Sequence, residues 1–241
     1  MEATNTTYNL QDSLQRMDDI LNSQNICEER DSIPSRNTLT FTNGYYVNCC
    51  AIFVDICGSS DLTNEHTRPV LAKIYRSFIS ELVALFNGEN TCKEISINGD
   101  CVWGVFELQN NMNEMIDIAA KASSLIDILN IKLRRKGYQT IEVGIGIDYG
   151  RALVAKAGYK GSTINDVIWM GDVINSASHL SGQAGRNGRK PLVVSSCIHG
   201  NLNEHNQGLL ASFYSSADWV TRYEGNIVNT SMDKWYDEHC K

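Results

Sequence analysis

Two aspartates and a short glycine-serine segment are the residues best suited to chemistry. Asp55 interrupts the otherwise apolar run Val47 to Ile56 (VNCCAIFVDI), and Gly58-Ser59-Ser60 follows it directly. Asp100 follows Gly99 between two alternating runs, Ile95-Ser96-Ile97-Asn98 and Cys101 to Phe106. Two carboxylates converging at one sheet edge could hold a pair of magnesium or manganese ions roughly 3.5–4 Å apart, as paired-metal phosphoryl sites do. Free backbone amides in the Gly-Ser-Ser loop would then bind phosphate oxygens, which makes nucleotide chemistry the natural use. Each carboxylate also has a plainer reading: Asp tolerates turn geometry at position 100, and Asp55 could cap the next helix. A third signal lies in residues 168 to 180, where Asp172 is a reasonable N-cap and Asn175 and His179 stand one helical turn apart on one face.

The elements around these residues decide whether the carboxylates can meet. Val47 to Ile56 has the length and apolar density of a central strand covered on both faces. Residues 66 to 87 predict a helix, with Val70, Leu71, Ile74, Phe78, Leu82 and Leu85 on one side and Asn87-Gly88 as its stop. Residues 92 to 107 predict two strands joined by a tight turn at Gly99-Asp100. A right-handed strand-helix-strand crossover makes the strand ending at Asn98 parallel to the one ending at Ile56, so Asp55 and Asp100 fall at the same edge. A second helix spans Met112 to Arg135, and Thr140 to Gly158 predicts two further strands turning at Asp148-Tyr149-Gly150. This order specifies an α+β fold, ferredoxin-like (βαββαβ), with helices on one face of the sheet and additional C-terminal strands. Those strands are expected at Pro191 to Ser195 and as a hairpin from Trp219-Val220 to Ile227-Val228.

Residues 1–40 differ in texture from the remainder of the chain and form an extension to a domain at 41–241. Leu10, Leu14, Met17 and Leu21 give it one short amphipathic helix, which could pack on its own domain or against a second copy of the chain. A formal net charge of −7 opposes a nucleic-acid surface, because the field of the whole chain repels phosphate backbones. No membrane segment is expected, since no run nears the ~18 apolar residues that span a bilayer. The N-terminal residues lack the basic and apolar regions of a signal peptide, which implies the cytoplasm. The eight cysteines show no CxxC pair and no zinc spacing, so they predict buried free thiols, with Cys27 and Cys240 least constrained.

The motifs Phe53-Val54-Asp55-Ile56-Cys57-Gly58, Asn98-Gly99-Asp100, Val143-Gly144-Ile145-Gly146-Ile147-Asp148-Tyr149-Gly150 and Gly171-Asp172-Val173-Ile174-Asn175-Ser176-Ala177 occur in this order. Together they resemble the catalytic domain of class III nucleotidyl cyclases over roughly residues 45 to 200. The resemblance implies a head-to-tail homodimer with active sites at the interface, closing a nucleoside triphosphate to its 3′,5′-cyclic monophosphate. Asp55 and Asp100 would ligate both divalent cations, Mg2+ or Mn2+, and the Ile56 carbonyl would bind one of them. Amides of Cys57, Gly58, Ser59 and Ser60 would hold the phosphates, and Asn175 of the partner chain would orient the ribose. The family has an arginine four residues after this Asn, where this chain has His179; imidazolium could serve there, or Arg186 or Arg189 could reach the same place. Lys160 is a candidate for the distal phosphates, with a solvated surface lysine as the plainer reading.

The base-reading positions depart from the family. Where the purine enzymes carry Lys with Asp, or Glu with a small residue, this chain has Ser96 and Ile168. Strand alternation places Glu94, Ser96 and Asn98 on one face, so a base would meet short or acidic polar groups opposite an aliphatic side chain. Ser59-Ser60 also replaces the common Phe-Thr. This nonstandard pocket, on a short chain, is similar to the bacterial anti-phage pyrimidine cyclases, which make cyclic CMP or cyclic UMP as an infection signal. CTP and UTP both remain open. The alternatives are a purine cyclase with an altered pocket and a cyclase-like protein that binds nucleotide without turnover.

Overall fold

The apolar run that contains Asp55 is the inner half of a 14-residue strand whose two ends belong to different parts of the chain. The computed structural model describes residues 2–108, 111–215 and 219–239. In chain order its elements begin with α1 (Leu10–Leu21), β1 (Ile26–Arg30), β2 (Asn43–Ile56), α2 (Ser59–Glu65), α3 (Arg68–Asn87), β3 (Cys92–Asn98) and β4 (Cys101–Phe106). They continue with α4 (Asn113–Arg135), β5 (Val143–Gly158), β6 (Asn165–Met170), α5 (Asp172–Gln183), β7 (Leu192–Ser195), α6 (Ser196–Gly200) and α7 (Glu204–Gly208). The last are β8 (Ala211–Ser215), β9 (Val220–Gly225) and α8 (Thr230–His239). Contacts divide the chain into one unit of residues up to Asn48 with Arg151–Asp172, and another of Cys49–Gly150 with Val173 onward.

In the larger unit the strand order is β3-β4-β2-β5-β7-β9-β8. β2 pairs antiparallel with β4, and β4 pairs antiparallel with β3, so β3 runs parallel to β2 with one strand between them, as the crossover rule requires. Val54, Ile56, Val102, Ile145 and Ile147 share a buried core with Ile74, Phe78 and Leu82 of α3 and Met115, Ala119 and Ile126 of α4. The apolar stripes of both helices are what the 3.6-residue period predicts. Gly99 takes a φ of 62° in the turn between β3 and β4, a backbone conformation that glycine adopts without penalty.

In the smaller unit β1 pairs parallel with the outer half of β2, Asn43 to Val47. β6 pairs antiparallel with the outer half of β5, Leu153 to Gly158. Leu39, Tyr45, Val47 and Val154 form its core. The helix expected in the N-terminal residues is present as α1, and all its residues are at least partly exposed, with Leu10, Met17 and Leu21 well exposed.

Several expectations need correction. Residues 143–158 form one long strand where a hairpin was expected over 140–158, because β7 pairs with Ile145 to Ile147 while β6 pairs with Leu153 to Gly158, so the extended backbone has partners on both sides of Gly150. The C-terminal hairpin is β8 with β9, Ser215 opposite Val220, and so lies earlier than expected. Helices cover both faces of the sheet. Ile145 and Ile147 face α3 and α4, and the alternate residues Gly144 and Gly146 face α5. A Cβ on Gly146 would fall 2.2 Å from the Ala177 carbonyl oxygen, and one on Gly144 would fall 2.1 Å from that of Ser181. The glycines of this motif therefore let the backbone of α5 lie directly on β5. Gly146→Ala must push α5 away, and denaturant unfolding should report a loss of about 1–3 kcal/mol or more, the usual cost of overpacking. A variant as stable as the wild type would show that the helix moves freely.

Candidate active site

Strand register brings the two aspartates together. Asp55 lies opposite Cys101, one residue past Asp100, and the Ile56 amide donates to the Asp100 carbonyl oxygen at 3.4 Å. The carboxylates therefore share one end of the sheet. Burial raises the Asp55 pKa above its ordinary 3.8, a hydrogen bond from Arg186 opposes that rise, and the charge of Asp100 adds to it. Both oxygens expected to meet a cation already converge on one positive group. Arg186 Nη2 donates to Asp55 Oδ2 at 2.7 Å and to the Ile56 carbonyl at 3.2 Å. One guanidinium nitrogen is thus held by this carboxylate and this carbonyl, and hard oxygen donors of this kind suit magnesium or manganese. Among the described residues no group of three or more His, Cys, Asp or Glu is placed to hold a metal.

The segment after Asp55 differs from the expected loop. Gly58 takes a φ of 64° and Ser59 begins α2, so the amides of Gly58, Ser59 and Ser60 enter a helical first turn where no intrahelical carbonyl precedes them. Cys57 must be removed from the phosphate-binding set, because its amide donates to the Glu142 carbonyl oxygen at 2.8 Å. Tyr75 on α3, which the sequence reading missed, belongs to this neighbourhood. Burial raises its pKa, the charges of Asp100 and Asp55 raise it further, and a hydrogen bond with Ser59 lowers it. Nothing in the spacing of α3 separates this tyrosine from the core stripe it adjoins.

On the sheet face that carries Asp55, Ser96 lies opposite Trp103 and Trp103 opposite Phe53, with the two aromatic rings stacked at 5.0 Å. Asn98 lies opposite Cys101, and Glu94 follows the same alternation across a bulge. The expected polar row is therefore present, backed by an aromatic pair. Asn175 and His179 lie on α5 and are both exposed. Ile168 on β6 and Lys160 in the turn before it are exposed residues of the smaller unit. There Lys160 lines a cavity of about 430 Å3 with Arg16, Phe41, Lys156 and Tyr159.

A mixed sheet in the order β3-β4-β2-β5-β7-β9-β8 with the carboxylate pair at one end of its interior strand β2 is the architecture of a nucleotidyl cyclase domain, and residues 41–207 match the adenylate and guanylate cyclase catalytic domain. The chain belongs to that family. It is 37% identical to a uridylate cyclase from Gulbenkiania mobilis, over 99% of this chain and 100% of that one. It is 36% identical to a uridylate cyclase from Treponema porcinum, over 96% of this chain and 82% of that one. Among solved structures, a class III adenylyl cyclase-like ATP-binding protein from Pseudomonas aeruginosa superposes with a TM-score of 0.72. At 15% identity over 92% of this chain and 48% of that one, this likeness concerns the fold alone.

The thiols test the burial pattern. Burial pushes Cys49 and Cys101 up to about 12 and Cys92 to about 11, and Asp55 and Asp100 add to the effect at Cys101. Cys197 is exposed, which corrects the expectation of a buried thiol there, and Cys240 lies outside the described residues. With Cys27 and Cys197 exposed, brief alkylation at neutral pH read by peptide mass spectrometry should modify these two, and Cys49, Cys50 and Cys101 only after unfolding. Early labelling of Cys101 would contradict this arrangement. A second test uses the raised Asp55 pKa. The stability linked to its proton is fully present below the ordinary carboxylate value and is lost as pH rises through the raised folded value. In the presence of chelator, Asp55→Asn should flatten the fall of Tm across that window, and an unchanged Tm-pH profile would count against the assignment.

Proposed function

We propose that this chain is a pyrimidine nucleotidyl cyclase that converts UTP to 3′,5′-cyclic UMP and pyrophosphate. The observation that carries this reading is near full-length similarity to two uridylate cyclases, joined to a carboxylate pair at the sheet edge where the family motifs fall. CTP is the runner-up substrate, since the row of Glu94, Ser96 and Asn98 offers short polar groups to either pyrimidine.

In this reading Asp55, Asp100 and the Ile56 carbonyl hold two divalent cations, Mg2+ or Mn2+. When bound, such ions neutralise the triphosphate and lower the pKa of the ribose 3′-hydroxyl. The amides of Gly58, Ser59 and Ser60 hold phosphate oxygens, and the Tyr75-Ser59 pair fixes the start of α2 beside them. The 3′-oxygen would release its proton to solvent water and bond to the α-phosphorus, while the bond from that phosphorus to the α,β-bridging oxygen breaks and pyrophosphate leaves. A homodimer brings the partner's α5 to the site, where its Asn175 orients the ribose and its His179 faces the α-phosphate. Ser96 reads the base; Ile168 as a second base-reading position and Lys160 as a ligand of the distal phosphates rest on the family resemblance alone. The protein acts in the cytoplasm, and its product serves as an antiviral second messenger, a role that rests on the resemblance to anti-phage cyclases.

His179 in the arginine position favours one other reading, a nucleotide-binding protein without turnover. Purified protein incubated with each of the four ribonucleoside triphosphates and Mn2+ separates the two. Cyclic UMP should dominate, Asp55→Ala and Asp100→Ala should each lower the rate by at least about 100-fold, in line with losses at preorganised charge-stabilising groups, and Ser96→Lys should shift the base preference. No pyrophosphate from any nucleotide would leave the silent reading standing.

A further inference from the structure

Arg186 joins Asp55 to the end of α5. Its Nη1 donates to the Ser181 carbonyl at 2.8 Å and to the Ala184 carbonyl at 3.2 Å, satisfying oxygens that the end of α5 leaves without helical donors. Its Nη2 takes Asp55 Oδ2 and the Ile56 carbonyl. Gly144 makes room for this side chain, since a Cβ there would lie 2.9 Å from Nη1 as well as against the Ser181 carbonyl. The side chain is about a quarter exposed, so the guanidinium can exchange its partners for water without unfolding the domain.

We infer that Arg186 is a built-in competitor of the divalent cation: its guanidinium and the ion contend for the same two oxygens, Asp55 Oδ2 and the Ile56 carbonyl. This rests on the metal-site reading proposed above and adds a step to it. A nitrogen at hydrogen-bond distance from both oxygens occupies the space an ion would need at its shorter oxygen distances. Two positive groups on one carboxylate also repel, so the ion binds with Arg186 withdrawn. A ligand can shift such an equilibrium only by its differential affinity for the two states, and the Arg186 contacts therefore subtract from the observed cation affinity. The withdrawn guanidinium leaves the carbonyls of Ser181 and Ala184, so cation binding loosens the end of the helix that carries Asn175 and His179.

The test is Mn2+ binding by the full chain without nucleotide, read by the free-ion paramagnetic resonance signal. Asp55→Asn should abolish tight binding; if it does not, the metal-site reading itself fails. Given that loss, Arg186→Gln should bind Mn2+ more tightly, by about fivefold or more, the lower end of typical coupling between linked sites. Arg186→Gln should also show a lower Tm in chelator and a larger rise on adding Mn2+. Equal or weaker Mn2+ binding by Arg186→Gln overturns the proposal, because an arginine that merely steadies Asp55 for the ion would lower affinity when removed. Wild-type protein carrying 15N-arginine gives a reading independent of any variant. Mg2+ should abolish a slowly exchanging guanidinium signal, and an unaltered arginine spectrum at saturating Mg2+ overturns the proposal.

Discussion

Placing two like charges at one end of a sheet is the constraint on which the rest of this structure depends. Asp55 sits at the end of an apolar strand, and the register of β2 against β4 sets Asp100 beside it. Burial and the neighbouring charge of Asp100 both disfavour ionised Asp55, and a positive group nearby offsets them. Within the chain that charge is Arg186, bonded to Asp55 and to the end of α5. The proposed cation satisfies the same demand from outside, which is why the two contend for the same oxygens.

The same constraint accounts for the division of the sheet into two faces. One face is aliphatic and closed by α3 and α4. The other carries Asp55, the Phe53-Trp103 stack, the polar row from β3 and the glycines under α5. Strand alternation separates the two sets residue by residue, so stability and candidate chemistry use opposite sides of the same backbone. Core packing on one side can then hold the carboxylates in place without a core residue entering the site.

The fold class, the hairpin at Gly99-Asp100, both long helices and α1 were legible in the sequence because each rests on local periodicity or turn chemistry. The continuous β5 was not, since Asp148-Tyr149-Gly150 looks like a turn until two different partner strands pair with the segments on either side of it. The short helix α2 was missed for a related reason. Gly58-Ser59-Ser60 has loop composition, and seven residues carry too little periodicity to announce a helix. The engagement of the Cys57 amide by Glu142 could not be seen either, because it joins segments 85 residues apart.

What the sequence determined by itself is the set of chemical groups and their local settings: an acid at a strand end, an acid at a turn, and glycines alternating with isoleucines. Those depend on neighbours within a few residues, and the family motifs record them in order. What only the tertiary structure decided is which distant groups answer them. Arg186 and Tyr75 carry no local sign of a role, because a guanidinium or a phenol acquires one from whatever oxygen the folded chain brings within hydrogen-bond reach.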